Sequence, residues 1–170
     1  MQERTPSLLH VGCGGDPLPP WASEYTETRL DIDASQNPDI VASMTDLGEI
    51  GTYDAILCQH ALEHLHPYEV SVALGEFLRV LNPNGLAIVF VPDLEDVKAT
   101  EEVILMSPAG PITGLDMIYG YRPALKERPY MAHKTGFVKS TLQQALERAG
   151  FRKTETKRLG NYNLMGVGVK

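Results

Sequence analysis

Hydrophobic positions in this chain fall into short unbroken runs set apart by glycine- and proline-bearing turns, with two stretches at helical spacing between them. Ser7 to Val11 (SLLHV) stops at Gly12-Cys13-Gly14-Gly15, which predicts a buried strand entering a glycine loop. Arg29 to Asp33 (RLDID) and Asp39 to Ser43 (DIVAS) predict a second and a third strand. Tyr53 to Gln59 (YDAILCQ) predicts a fourth, with the continuous apolar centre of a parallel strand covered on both faces. Behind Pro67, the residues Val70, Ala73, Leu74, Phe77, Leu78 and Leu81 recur at three- and four-residue intervals, the pattern of a helix buried along one side. Asn82-Pro83-Asn84-Gly85 ends that helix, with Gly85 expected in a left-handed conformation, and Leu86 to Val91 predicts a fifth strand.

From Asp93 to Gly136 the texture changes. Leu94 to Met106 could form a helix, but residues 107 to 136 carry Pro108, Pro111, Pro123 and Pro129 without clear periodicity. A stretch of that length reads as a substrate-covering insertion, residues 95 to 136, within a single domain spanning 1 to 170. Regular structure resumes at Ser140 or Thr141, either of which offers an N-cap with a glutamine three residues on. Leu142, Ala145, Leu146 and Ala149 then form an apolar stripe, and Gly150 a C-cap. Thr154 to Leu159 and Leu164 to Val169 predict two closing strands around a turn at Gly160-Asn161. Strands alternating with helices imply an α/β fold with a mostly parallel sheet of about seven strands, closed by a C-terminal antiparallel hairpin. Only fifteen residues, three of them proline, separate the glycine loop from Asp31, so the first crossover helix should be shortened.

Composition narrows the partners. The 170 residues hold 15 Lys and Arg against 22 Asp and Glu, a net charge of -7. A basic footprint for nucleic acid is missing from this balance, although Lys126, Arg128, Lys134 and Lys139 could gather locally. No apolar run reaches the length of a membrane span, and the polar start MQERTPS does not resemble a signal peptide, so a cytoplasmic protein acting on a small molecule is expected. Cys13 and Cys58 sit in strand-like apolar settings and are expected as buried, reduced thiols.

Two patterns carry candidate chemistry. A strand running into Gly12-x-Gly14-Gly15 lets backbone pass close to a ligand, and Asp31, 19 residues after Gly12, ends the next strand. A carboxylate there can accept from both hydroxyls of a ribose, so loop, strand and acid together predict a nucleoside-cofactor site. The dinucleotide fingerprint is broken by Pro17, and no phosphate-binding GK[ST] occurs. The second pattern, His60-Ala61-Leu62-Glu63-His64, matches the H-x-x-E-H of inverzincin proteases, with His66 just beyond. A zinc hydrolase would leave the glycine loop and Asp31 without a role, so no metal is expected.

Taken together, LLHVGCGGD, RLDIDAS, TDL, YDAILCQHALEHLHP, LRVLNPNGLAIVFVPD and HKTGFVKSTLQQALERAGF resemble, in order, the motifs of the class I S-adenosylmethionine-dependent methyltransferases. The resemblance implies a Rossmann-like sandwich and S-adenosyl-L-methionine as cofactor. It puts Gly12, Cys13 and Gly14 against the methionine part and Asp31 on the ribose diol. Ile32 would pack on the adenine, Asp46 accept from its amino group, and Leu47 lie near the ring. Gln59 and His60 would floor the site beside the sulfonium, with Leu62 and Leu65 packed inward and Glu63 and His64 near the cleft mouth or at the surface. His10 joins the cofactor set at a position where the family usually carries an acidic residue, and Asp16 replaces the usual third glycine. Methyl transfer to an oxygen or protonated amine also calls for a base of pKa near neutrality, for which His133 is the candidate, with Tyr119 and Tyr121 as possible contacts. The rival reading is a noncatalytic methyltransferase-like domain that regulates or binds a partner, and a nicotinamide dehydrogenase stands third.

Overall fold

The structure is a computed structural model that describes residues 4–170; the first three residues of the polar start lie outside the described residues. Five parallel strands form its centre: β1 (Ser7–Val11), β2 (Thr26–Asp31), β3 (Ile40–Val41), β4 (Tyr53–Gln59) and β5 (Leu81–Pro92). Two more strands, β6 (Val103–Ser107) and β7 (Gly110–Thr113), pair only with each other. The closing strands β8 (Lys153–Leu159) and β9 (Asn163–Val169) complete a seven-stranded sheet of order β3-β2-β1-β4-β5-β9-β8. In it β9 runs antiparallel to both β5 and β8. The mostly parallel α/β sheet with a C-terminal hairpin is therefore as the pattern predicts.

The two faces of this sheet are covered unequally. Side chains alternate along each strand, so Leu9, Val11, Ile56 and Cys58 point one way and Leu8, Ala55 and Leu57 the other. The first set meets helices α1 (Pro67–Val80) and α4 (Lys139–Ala149), which bury Leu74, Phe77, Leu142 and Leu146 against it. Burying each such side chain contributes roughly 1.5–3 kcal/mol. The second set is covered by Leu18, Ala22 and Tyr25 from the β1–β2 connection, whose only helical piece is the 3-10 turn Pro20–Ala22. The first crossover is short as expected, and the core on that face is correspondingly small.

Several local readings are corrected. The helix expected over residues 94 to 106 is absent: a turn at 94–97 leads into the β6–β7 hairpin, whose β-branched Val103 and Ile104 favour extended backbone. The second strand begins earlier and ends at Asp31, and the third keeps only Ile40–Val41. Asn84, not Gly85, takes the left-handed conformation, with φ 64°. Gly85 is needed for space instead, since a Cβ there would lie 2.9 Å from the Asn82 carbonyl oxygen. Neither Ser140 nor Thr141 caps α4; Val138 does, and the Thr141 hydroxyl reaches back to accept its N–H at 3.0 Å. Gly150 closes α4 in the left-handed conformation as predicted. Both cysteines are buried and free, and burial pushes the Cys58 thiol well above its ordinary pKa. Among the described residues no helix is long and apolar enough to cross a membrane. Short helices α2 (Gly114–Tyr119) and α3 (Arg122–Leu125) complete the insertion after β7.

Candidate cofactor and acceptor cleft

The glycine loop leaves the carboxyl end of β1, and its shape is fixed by contacts on both sides. Gly12 (φ 65°) donates to the Leu30 carbonyl at 2.8 Å, and a Cβ on it would sit 2.5 Å from the Ala61 Cβ, so the loop packs against the segment after β4. Gly14 (φ 47°) donates its N–H to Asp31 Oδ2 at 2.8 Å, while Asp31 Oδ1 accepts from the Asp33 N–H at 2.9 Å. Asp31 is buried, yet each of its oxygens spends one lone pair on backbone and keeps another. Arg29 holds the far side of the loop by donating to the carbonyls of Gly14 (2.7 Å) and Asp16 (2.9 Å). Asp33 follows on the rim, where hydrogen bonds, Ser35 foremost, hold its carboxyl at about 2.

This loop forms one wall of a cleft of about 520 Å³, within the range of small-ligand sites. Of the residues expected to meet a cofactor, Gly12, Gly14, Asp31, Ile32, Gln59 and His60 line it. Ile32 is 68% exposed there, an apolar side chain presented to the space. The others lie elsewhere. His10 is buried in β1 with its Nδ1 2.8 Å from Glu27, and Cys13 is buried beneath the loop. Leu47 belongs to the core, its N–H donated to Glu76, and Asp46 is exposed on the turn before it; Ser43 and Met44 take that stretch of wall. Arg128 and Lys134, two of the four cations noted in the sequence, stand at the mouth with Tyr130.

The opposite wall is the stretch His60–Leu65. His60 follows β4 with φ 48°, and Leu62–His64 make one 3-10 turn, so the H-x-x-E-H residues do not share the face of an α-helix. Leu62 is buried, and Leu65 lines the cleft. Glu63, expected near the mouth or at the surface, is buried at 2% exposure; its Oε1 lies 3.6 Å from His60 Nδ1 and its Oε2 has no hydrogen-bond partner. His66 is exposed at the start of α1, stacked on Tyr68.

The insertion returns along this wall. Lys134 and Thr135 donate their N–H groups to the Glu63 carbonyl (2.9 and 3.1 Å), and the Thr135 hydroxyl donates to Leu65 at 2.6 Å. His133 thereby comes to rest behind His64, ring centroids 5.3 Å apart, with its N–H on the Tyr119 carbonyl. Its side chain does not line the cleft, and Tyr119 is 56% exposed outside it. Burial lowers the His133 pKa from its ordinary value. At His60 desolvation pulls the pKa down, Glu63 together with Asn163 and Asp16 pulls it up, and the net shift is upward. Sequence spacing missed Glu63 and His64 as inward-facing partners of His133, because the insertion alone brings them together. Tyr130 spans the mouth, its hydroxyl 3.4 Å from Asp33 Oδ2.

A family model described as "Methyltransferase domain" matches residues 1–156. The chain belongs to the methyltransferase domain family. No curated protein matches it. Among solved structures, this methyltransferase-family chain is similar to a SAM dependent methyltransferase from Archaeoglobus fulgidus. The two share 14% identity with a TM-score of 0.67, over 97% of this chain and 86% of that one. A Burkholderia thailandensis 1,6-didemethyltoxoflavin-N1-methyltransferase, solved with 1,6-didemethyltoxoflavin and S-adenosylhomocysteine, matches at 14% identity and TM-score 0.63, over 98% of this chain and 72% of that one. An O-methyltransferase family protein, also from Burkholderia thailandensis, matches at 12% identity and TM-score 0.63, over 98% of this chain but 51% of its own. The chain thus spans about half the length of several structures it resembles, and at these identities the likeness is one of fold.

Proposed function

We propose that this chain transfers a methyl group from S-adenosyl-L-methionine to a small-molecule acceptor bound in the same cleft. The observation that carries the reading is the Asp31 carboxylate, held between the N–H groups of Gly14 and Asp33 with one lone pair free on each oxygen. Two acceptors side by side fit a ribose diol, and the exposed Ile32 beside them fits a flat base. Gln59 and His60, at the end of β4, would face the reacting end of the cofactor. When bound, the sulfonium supplies the leaving group, so the chain's own work is placement: the glycine loop and Asp31 fix the donor, and Tyr130, Arg128 and Lys134 close the mouth over the acceptor. His133 and Tyr119 enter the proposal as residues that hold the insertion's own fold, the N–H of His133 donated to the Tyr119 carbonyl, next to Lys134 and Thr135, whose N–H groups seat it against the wall.

The test is calorimetric titration with S-adenosylmethionine, S-adenosylhomocysteine and NAD. Saturable binding of the first two, with no heat from NAD, is the expected result; a ligand at 100 times its Kd would also add about 2.7 kcal/mol of stability in a melt. Binding of neither sulfur nucleoside would leave the noncatalytic reading, which the thinly covered β1–β2 face favours.

A further inference from the structure

Glu63 is a buried carboxylate with one oxygen unused, a state that is costly unless something meets it. Its nearest counter-charge is the half-exposed His60, 3.6 Å from the other oxygen, and no lysine or arginine pairs with Glu63 among the described residues. His64 and His133 also stand close to it. One ligand atom from each of Glu63, His64 and His133 lies within 4.8 Å of the other two.

The two imidazoles are set in a particular way. His64 Nδ1 lies 3.3 Å from the Ala132 carbonyl oxygen, and His133 Nδ1 lies 3.0 Å from that of Met117. A ring that donates Nδ1–H to a carbonyl keeps its lone pair on Nε2, and the same kind of bond orients metal-binding histidines. Two anchored imidazoles and a carboxylate with a spare oxygen make three ligands, the number found at zinc sites that keep a fourth position open.

We propose that Glu63, His64 and His133 bind a divalent transition-metal ion of the zinc type. The donor set suits Zn²⁺, Co²⁺ or Fe²⁺ better than Mg²⁺ or Ca²⁺, which take oxygen ligands. Bonds of about 2.0 Å put tetrahedral ligand atoms about 3.3 Å apart, so the three side chains draw inward on binding. Because His64 lines the cleft, the fourth position is reachable from the space assigned to the acceptor, where a cation would make an acceptor hydroxyl more acidic. Of the H-x-x-E-H pattern only Glu63 and His64 are used; the second histidine comes from the end of the insertion. The site does not depend on the methyl-transfer reading.

The experiment is titration of the chelator-stripped full chain with Zn²⁺ by calorimetry and with Co²⁺ by visible absorption, with S-adenosylhomocysteine binding measured in parallel. One equivalent of Zn²⁺ should bind, and Co²⁺ should develop ligand-field bands. Glu63→Gln, His64→Asn and His133→Asn should each weaken binding by at least about 10- to 100-fold, the range seen when only a hydrogen-bond partner of a metal ligand is lost. His66→Asn, at the exposed start of α1, should change nothing. No saturable Zn²⁺ binding, or binding abolished by His66→Asn and untouched by Glu63→Gln, overturns the proposal. Should Glu63→Gln fail to fold by circular dichroism, His133→Asn at its half-buried position carries the same test. Metal binding without nucleoside binding, or the reverse, separates this site from the methyl-transfer reading.

Discussion

Asp31, on one wall of the cleft, and Glu63, behind another, are both buried carboxylates, and they are built in opposite ways. Asp31 sits at the end of a strand, and two backbone N–H groups from neighbouring turns converge on it. Glu63 sits on a 3-10 turn whose own carbonyl is taken by the returning insertion, and its side chain is left with one distant histidine and one orphan oxygen. The first is supported by local chain geometry, so its charge costs the protein little. The second depends on a segment far away in sequence, and only His60 stands near it as a counter-charge. A carboxylate braced by backbone has the lone pairs that the proposed ribose contact needs, whereas an unbraced one near two imidazoles has those of the proposed metal site.

The largest effect should come from breaking the braced side. Asp31→Ala removes the acceptor for Gly14 and Asp33 as well as for the ribose, and S-adenosylhomocysteine affinity should fall about 10- to 100-fold by calorimetry. Next comes acid. Asp116, a third buried carboxylate, is braced inside the insertion: burial would raise its pKa, but hydrogen bonds from Thr113 and Arg122 outweigh it and hold it at about 2. With the folded pKa depressed, its stabilisation of about 2 kcal/mol is present above the unfolded value near 4 and is lost as pH falls through about 2. Hydrogen exchange over residues 113–122 should therefore accelerate in that window, and Arg122→Ala should move the acceleration to higher pH.

The comparison sharpens with paired amides. Asp31→Asn places an NH₂ against a backbone N–H that needs an acceptor and should cost about 1–3 kcal/mol in denaturant melts. Glu63→Gln in metal-free protein alters a group with one oxygen already unpartnered and should cost less than about 1 kcal/mol. Equal costs would mean that the two environments are equally braced. The smallest effect belongs to Tyr130→Phe, which deletes one long hydrogen bond to Asp33; unfolding should change by at most about 0.5 kcal/mol, with the difference showing in ligand off-rate instead.

The sheet was legible because parallel strands buried on both faces must be apolar through their centres, as Ala55–Cys58 are within Tyr53–Gln59, and the bounds of that strand were read to the residue. Helix α1 was legible for the same reason, from its 3.6-residue stripe. The insertion was not. Its hairpin exposes Val103 and Met106, so no one-sided pattern marks it, and residues 94–106 passed for a helix. At the cleft, Asp31 could be found from its distance to the glycines, because a strand and a short crossover fix where it ends. The burial of His10 and Leu47 turned on which way each side chain faces, which a motif does not carry. Glu63 and His133 meet only after β5, β6, β7 and α2 have been threaded between them, and no local spacing encodes that.

The thin cover over the β1–β2 face also determines how the protein can be watched. The chain has one tryptophan, and it is Trp21, 51% exposed on the 3-10 turn that stands in for a crossover helix. The main core between sheet and helices contains no indole at all. Native tryptophan emission is therefore a local signal from the cover next to the glycine loop, already solvent-relaxed before any unfolding. Movement of that loop would register in it, while loosening around Phe77 and Leu146 on the other face would pass unseen.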